Sequence, residues 1–376
     1  MTDQPPLLKA IVHTGISDFY DLQDSWNQVF ENSPESTFFN SFAWTESWIF
    51  CYWKPVYSAH IVVILQNGEP VALLPFYFNV DYRKWMLLGT GEPESGEVAT
   101  EYVDFLVSSK LEDKDEIDRI ISKELEPLLN RGIEIRNCLA SSHIYRFAKL
   151  YKNSVFRRCG SKFQLNLNAS FDEILQSFSK NHRKKTREIL NRFSNRPELT
   201  FLPPCEKNFE ENWSLLQELH THDWQRKGKP GAFYAESFDK FHRHMYRNYP
   251  EIKQLFASLK FNDKPIAVNF YYEFRNVLYY YQSGSDKQQY GQLSPGILLH
   301  TLCIDSLCNE LLVYDFLKGP LGTTYKEKFT SRGENFYNIT MYGSTPWQSV
   351  AFQLRILFDY SISIFRKVRN KSRTNQ

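Results

Sequence analysis

A chain of 376 residues has room for two domains or two tightly fused halves. Its 45 basic and 43 acidic residues leave a formal charge of only +2, which removes any global electrostatic case for nucleic acid and leaves only local ones. With 42% hydrophobic and 23% charged residues the composition is that of an ordinary globular protein, and 16% aromatic residues point to aromatic-lined cores and clefts. The opening MTDQPPLLKAIVHTG lacks a basic stretch before an apolar core, so no signal peptide is expected. The longest apolar run, Val350–Phe365, is broken by Arg355 and Asp359, so no membrane span is expected and the expected location is the cytoplasm. The six cysteines are scattered without a CxxC pair, which fits reduced thiols in that compartment.

In chain order, LLKAIVHTG reads as a strand. A helix with apolar spacing at Phe19, Leu22, Trp26 and Phe30 follows, then a second over FFNSFAWTESWIFCYW, capped near Asn40 or Ser41. AHIVVILQNGEPVALLPFYFN is a hairpin with Asn67-Gly68 as its turn. WMLLG and YVDFLVS are expected strands, DEIDRIISKELEPLLNRG a helix ending at Gly132, and IEIRNC a strand. HIYRFAKLYKN is a short helix, and KFQLNLN closes the first half with alternation. The second half repeats this order loosely. SFDEILQSFSKNHRKKTREILNRF is a linker helix, ELTFLP a strand, and NFEENWSLLQELHTHDWQRKG and AESFDKFHRHMYRNY are helices. A hairpin turning at Asn262-Asp263, a buried helix, the YDF strand, a second helix over PLGTTYKEKF and the strand FYNITMYG complete it. The shared order of strand, two helices, hairpin, strands, helix and strand suggests a duplicated α/β unit.

The stretch from Phe270 to Phe329 holds the densest set of signals. A second hairpin turns at Glu273–Asn276, with Ile266, Val268, Phe270 and Tyr272 expected on one face beside Val277, Tyr279 and Tyr281. Ser294 is a good N-cap, Pro295 suits the first helical position, and the helix from Ile297 to Cys308 is apolar on nearly every side, hence buried. A strand feeding a glycine-bearing loop and a helix N-terminus suits an anion, because the first-turn N–H groups lack partners and the helix dipole adds positive charge. Tyr290, Gly291, Ser294, Pro295 and Gly296 therefore form a candidate pyrophosphate cradle; the plain alternative is a capped helix after a turn.

SGSDKQQYGQLSPGILL, the strand ending YDFLKG and TTYKEKF together resemble the GNAT acyltransferase domain of the CelD-like family, named for a cellulose-biosynthesis acetyltransferase. SFAWTESWI, KNHRKKTREILNRF and LHTHDWQRKGKPGAF fit the same pattern, so the resemblance spans residues 35–345 in blocks. Such proteins are similar in architecture to FemAB-type peptidyltransferases. The resemblance implies a tandem GNAT-like α/β fold, two mixed-sheet halves with a cleft between them. The halves are placed at residues 1–168 and 169–345, with residues 346–376 a C-terminal helix and basic tail. It further implies acyl-CoA, typically acetyl-CoA, as donor, with no metal. In that frame Tyr325 is the acid beside the leaving thiolate, and Asp315 the base or an orienting group for the acceptor. Lys318 and Lys326 offset phosphate or oxyanion charge. The structural alternative has Asp315 capping the next turn and Tyr325 packing on Phe329.

Other stretches carry candidate roles. Glu101 and Asp104, with Glu97 and Tyr102, are placed to line the cleft and select a cationic or hydroxyl-rich acceptor; the alternative is a solvated loop and strand edge. Phe209, Trp213, Leu216, His220 and Trp224 share one helix face, which makes His220 an inward-facing histidine, while the resemblance carries Asp223 and Trp224, with Arg226, toward the substrate. His242 and His244 are two apart on a helix and do not share a face, so they form no metal pair. The basic helix of Lys180, His182, Arg183, Lys184, Lys185, Arg187 and Arg192 is either a solvated face or a phosphate-binding one, for a coenzyme, a nucleotide sugar or tRNA. The tail FRKVRNKSRTNQ allows at most peripheral contact with a membrane. The expected activity is acyl transfer to an amine or hydroxyl of a small-molecule or saccharide acceptor, in polysaccharide or envelope synthesis. An acyl-carrier protein is a further candidate donor. The alternatives are FemAB-like transfer from aminoacyl-tRNA and a non-catalytic binding protein on the same fold.

Overall fold

The computed structural model describes residues 7–112, 114–226, 228, 230–343, 350 and 353–354, so the C-terminal helix and basic tail lie outside the described residues. The first half runs β1 (Leu8–His13), α1 (Asp18–Asp21), α2 (Gln23–Glu31), α3 (Phe42–Tyr52), β2 (Ser58–Gln66), β3 (Glu69–Asn79), β4 (Lys84–Leu87), β5 (Leu106–Val107), α4 (Lys114–Leu129), β6 (Ile133–Leu139), α5 (His143–Ala148) and β7 (Ser154–Asn166). The second runs α6 (Phe171–Ser177), α7 (Lys180–Ser194), β8 (Leu199–Cys205), α8 (Phe209–Arg226), α9 (Glu236–Asn248), β9 (Lys253–Phe261), β10 (Lys264–Phe274), β11 (Val277–Ser285), α10 (Lys287–Tyr290), α11 (Pro295–Leu307), β12 (Val313–Gly319) and β13 (Asn335–Met341). The duplication expected from element order is present: strand, helices, hairpin, third strand, crossover helix and parallel strand recur in each half.

Local chemistry accounts for the hairpins. At Asn67-Gly68, Asn262-Asp263 and Arg275-Asn276 both central residues have positive φ, the backbone that matches strand twist in a two-residue turn. Arg275 is a costly residue for that conformation, and its guanidinium is tied to the carbonyls of Phe30, Ser33 and Ser36. Ser41 caps α3, its Oγ accepting the Trp44 N–H at 3.1 Å. A register shift at Pro265/Ala267 moves Ile266 off the face shared by Val268, Phe270 and Tyr272, so that it joins the core on the other side of the sheet.

The two halves share a single sheet, ordered β1-β2-β3-β4-β6-β13-β7-β12-β11-β10-β9-β8, with β5 pairing β3. The last strands are exchanged: β7 pairs β12 of the second half, and β13 pairs β6 of the first. On one face a core continuous across both halves lies under α1–α3, α8 and α9, with α3 packed on α9. On the other, α4 and α5 cover one core and α6, α7 and α11 another.

Three sequence expectations change. The linker helix is two helices, broken at Phe178–Ser179. YVDFLVS pairs only over Leu106–Val107, because Tyr102 is left-handed (φ 54°) and Tyr102–Phe105 runs as an irregular strap. PLGTTYKEKF makes only a 3-10 turn, Tyr325–Lys328, capped by Thr324. The six cysteines are free thiols, and among the described residues no helix is long and apolar enough to cross a membrane.

Candidate functional site

β11 and β12 are parallel but pair only at Val277/Val313, Leu278/Tyr314 and Tyr279/Asp315. β11 then continues to Ser285 with β10 on its far edge, while β12 bulges between Asp315 and Lys318. The strands part and leave a wedge with Tyr280–Ser283 on one side and Phe316–Gly319 on the other. Backbone groups on an unpaired strand edge invite an extended ligand to add as a further strand.

Buried charges hold the bulge. The Asp315 carboxylate, 0% exposed, accepts the Tyr102 hydroxyl at 2.6 Å, the Gln164 amide at 2.7 Å and the Leu317 N–H at 2.7 Å. That last contact secures Leu317 in the left-handed region (φ 61°). Glu101 accepts the Lys318 N–H at 2.7 Å. From the other side the Lys326 ammonium donates to the carbonyls of Phe316, Leu317 and Lys318. Burial pushes the Asp315 and Glu101 carboxyls up and holds the Lys326 ammonium down to about 8, with Glu101 and Asp315 opposing that fall. These three residues were read from sequence as base, acceptor-selecting acid and phosphate cation. The structure turns them onto the backbone of β12 instead, as positioning groups.

Above the wedge, Tyr325 stacks on His300 (5.6 Å between centroids, 26°). The residue is 36% exposed, yet its hydroxyl is the covered end: it meets Tyr280, and burial raises its pKa well above the usual tyrosine value. Tyr280 in turn donates to Ser283 at 2.5 Å. His300 was not singled out in the sequence; the only signal was one histidine in a mostly apolar helix. Its Nδ1 lies 2.7 Å from the Tyr314 hydroxyl, which donates to Tyr271, which donates to Cys303. Burial, aided by Lys326, pushes His300 down to about 3, so the ring is neutral.

The start of α11 is open. Ser294 is left-handed (φ 50°) and its side chain makes no cap, so the expected Ser294 cap fails in its bonding although its position is right. Among the described residues the N–H groups of Gly296 and Ile297 meet no acceptor. A side-chain carbon added at Gly291 or Gly296 would find nothing within 4 Å. Tyr290 differs from its expected role: it is buried and packs on Phe261 (5.4 Å), anchoring the loop. Asp223 pairs with Lys287 at 3.5 Å and with Arg226 at 3.3 Å, tying the end of α8 to α10. Trp224 lies one residue on, 5.6 Å from His220 between ring centroids. Both therefore belong to the rim of the loop. Gly284 is needed where β11 meets α8, since a side-chain carbon there would come within 2.6 Å of the His220 nitrogen.

On the opposite side of the sheet the strap 97–104 crosses the wedge. The Tyr281 hydroxyl of β11 donates to the Val98 carbonyl. Lys318 reaches Asn137. Glu97 is half-buried, and among the described residues no hydrogen bond holds its carboxylate. Burial raises its pKa, while Lys318 and Arg136 pull it back. Asp104, expected to contact substrate, instead caps α5: its oxygens accept the N–H groups of His143 and Ile144, both at 2.8 Å, and of Phe105. Beside the 3-10 turn, His182 of the basic α7 packs on Phe329 (5.7 Å) and feels Lys185 and Lys328.

Residues 180–327, from α7 through the 3-10 turn, match the family model described as an acetyltransferase (GNAT) domain. Three solved structures resemble the chain. The crystal structure of FemX has a TM-score of 0.60 at 11% identity, covering 92% of this chain and 100% of FemX. A conserved protein of unknown function from Bacteroides thetaiotaomicron scores 0.52 at 12% identity, over 89% and 100% of the two chains. A tandem GNAT protein from the clavulanic acid biosynthesis pathway scores 0.50 at 7% identity, over 90% and 100%. At these identities the likeness is one of fold. The chain thus has a mixed α/β fold of two GNAT-like halves on one large sheet. No curated protein matches it in sequence.

Proposed function

We propose that this chain transfers an acyl group from an acyl-CoA thioester, acetyl-CoA being the simplest, to an amine or hydroxyl acceptor. The observation that carries the reading is the parting of β11 from β12 directly below the open N-terminus of α11. An extended thioester arm can add to the free edge of Tyr280–Ser283 while its pyrophosphate meets the Gly296 and Ile297 N–H groups. Tyr325 keeps its proton and stands beside the wedge as the donor to the departing thiolate. Glu97 is the carboxylate left free to take a proton from the acceptor; burial raises its pKa and the neighbouring Lys318 opposes that rise. Asp315, Glu101 and Lys326 hold the bulge that keeps the wedge open.

The CelD-like resemblance supports a saccharide or envelope precursor as acceptor. A second reading, transfer from aminoacyl-tRNA, is favoured by one feature: Lys180, Lys184, Lys185, Arg187 and Arg192 are all exposed on α7, next to the wedge. The test is thermal stabilisation by acyl-CoAs and by charged tRNA, with mass spectrometry of the acceptor. Acyl-CoA should raise the Tm of the wild type, and Gly296→Val, whose branched side chain fills the open space, should cancel the rise while keeping the fold. Stabilisation by tRNA alone would transfer the case to the second reading, and stabilisation by neither would leave a binding protein.

A further inference from the structure

A cavity of about 640 Å³ is lined entirely by residues of the first half. Where β11 and β12 part to leave the wedge, the matching gap beside β6 is filled by the strap, whose Val103 N–H donates to the Asn137 carbonyl, and the cavity adjoins that strap at Tyr102, Asp104 and Phe105. α4 joins the parallel strands β4 and β6, which pair at a single position, Trp85/Ile133, as α11 joins β11 and β12. The early turns of α4, at Ile117, Asp118 and Ile121, and the start of α5 line it.

The lining of the cavity is acidic and hydroxyl-bearing. At the start of α5 the backbone N–H groups that an anion would need are taken by the Asp104 carboxylate. Of the charged side chains on the wall, Glu35, Asp104 and Asp118 are acidic and only Arg146 carries a fixed positive charge. Phosphates are repelled from such a wall. What it offers is the hydroxyls of Ser36, Ser108 and Ser109 beside the rings of Tyr102, Phe105 and Phe147. Hydroxyls and carboxylates exchange hydrogen bonds with a polyol, and aromatic faces cover its C–H surfaces.

We infer that this cavity binds a saccharide unit, neutral or bearing an amine, and excludes nucleotides and coenzymes. It is a second site, connected to the first through Tyr102, whose ring lines the cavity and whose hydroxyl binds Asp315 at the foot of the bulge. The inference stands on the first half alone and does not need the donor reading to hold.

The test is saturation-transfer NMR and calorimetry on the full chain, without donor, using a neutral glucose disaccharide, the corresponding amino-sugar disaccharide, a nucleoside diphosphate and CoA. Both disaccharides should bind with Kd on the order of 1 mM. Ser109→Trp, at an exposed position on the cavity wall, should abolish that binding and leave stabilisation by acyl-CoA as it was. Asp118→Asn should weaken the amino sugar about two- to fivefold, the scale of an exposed ion pair, and spare the neutral one. Absence of disaccharide binding overturns the inference, as does binding that survives Ser109→Trp, or a nucleoside diphosphate that competes for the cavity.

Discussion

Glu97 and Asp315 are both carboxylates close to the wedge, and their surroundings give them opposite work. Asp315 has its oxygens committed to Tyr102, Gln164 and Leu317, and nothing of it faces the opening. Asparagine at that position must turn an NH₂ toward at least one of these donors. Leaving buried polar groups unmatched costs about 1–3 kcal/mol, so Asp315→Asn should melt lower than the wild type. Among the described residues Glu97 holds no hydrogen bond that its loss would orphan. Glu97→Gln should therefore keep the wild-type Tm and lose turnover by about 10²–10⁴-fold, the usual contribution of one proton-transfer group. Tm and kcat measured on both variants separate the two roles. Wild-type turnover in Glu97→Gln would remove it as the base, and an unchanged Tm in Asp315→Asn would contradict its place in the bulge.

Among the elements, α11 carries the most chemistry per residue. Its one histidine, His300, is buried and neutral, with a pKa depressed to about 3 against an unfolded value near 6.5. Between those limits the unfolded chain binds the proton and the folded chain does not. The stability His300 contributes is thus complete above about pH 6.5 and drains away as the pH falls toward 3. His300→Gln can still hydrogen-bond to Tyr314 but cannot be protonated. It should melt lower than the wild type at pH 7.5 and lose several degrees fewer on acidification to pH 4. Parallel Tm losses in the two proteins would refute the account. The same helix marks how far the sequence could be read. Ser294-Pro295-Gly296 announced its start, and alternation with Asn-Gly and Asn-Asp turns announced the hairpins, because these signals are local. The bulge of β12 was not legible: it depends on Glu101, 217 residues from the Lys318 N–H it accepts, and on Lys326, whose ammonium folds back across an irregular turn onto carbonyls eight to ten residues before it. Tyr102 was read within a strand for the same reason, since its left-handed turn serves a hydroxyl contact with Asp315, 213 residues away.

At the scale of the whole molecule, duplication and strand exchange pull in different directions. Each half repeats the same order of elements, which invites the expectation of two modules that fold alone. The sheet contradicts independence. β7 ends the first half but lies between β13 and β12, and β13 ends the second but lies between β6 and β7. The region matched by the GNAT model, residues 180–327, stops before β13. Severing the chain between residues 168 and 169 would leave β7 without either neighbour, and would strand β13 away from both of its own. It would also open the core that α3 and α9 close together. Residues 1–168 and 169–376 produced separately should thus show no cooperative melting and should aggregate through their exposed strand edges. Produced together they should co-purify as a one-to-one complex, because the missing ladder of each is supplied by the other. Thermal melts and sizing of the separate and joint products decide the matter: a monomeric 169–376 with a sharp transition within a few degrees of the full chain would mean that the exchanged strands contribute little, and that the second half is a module in its own right.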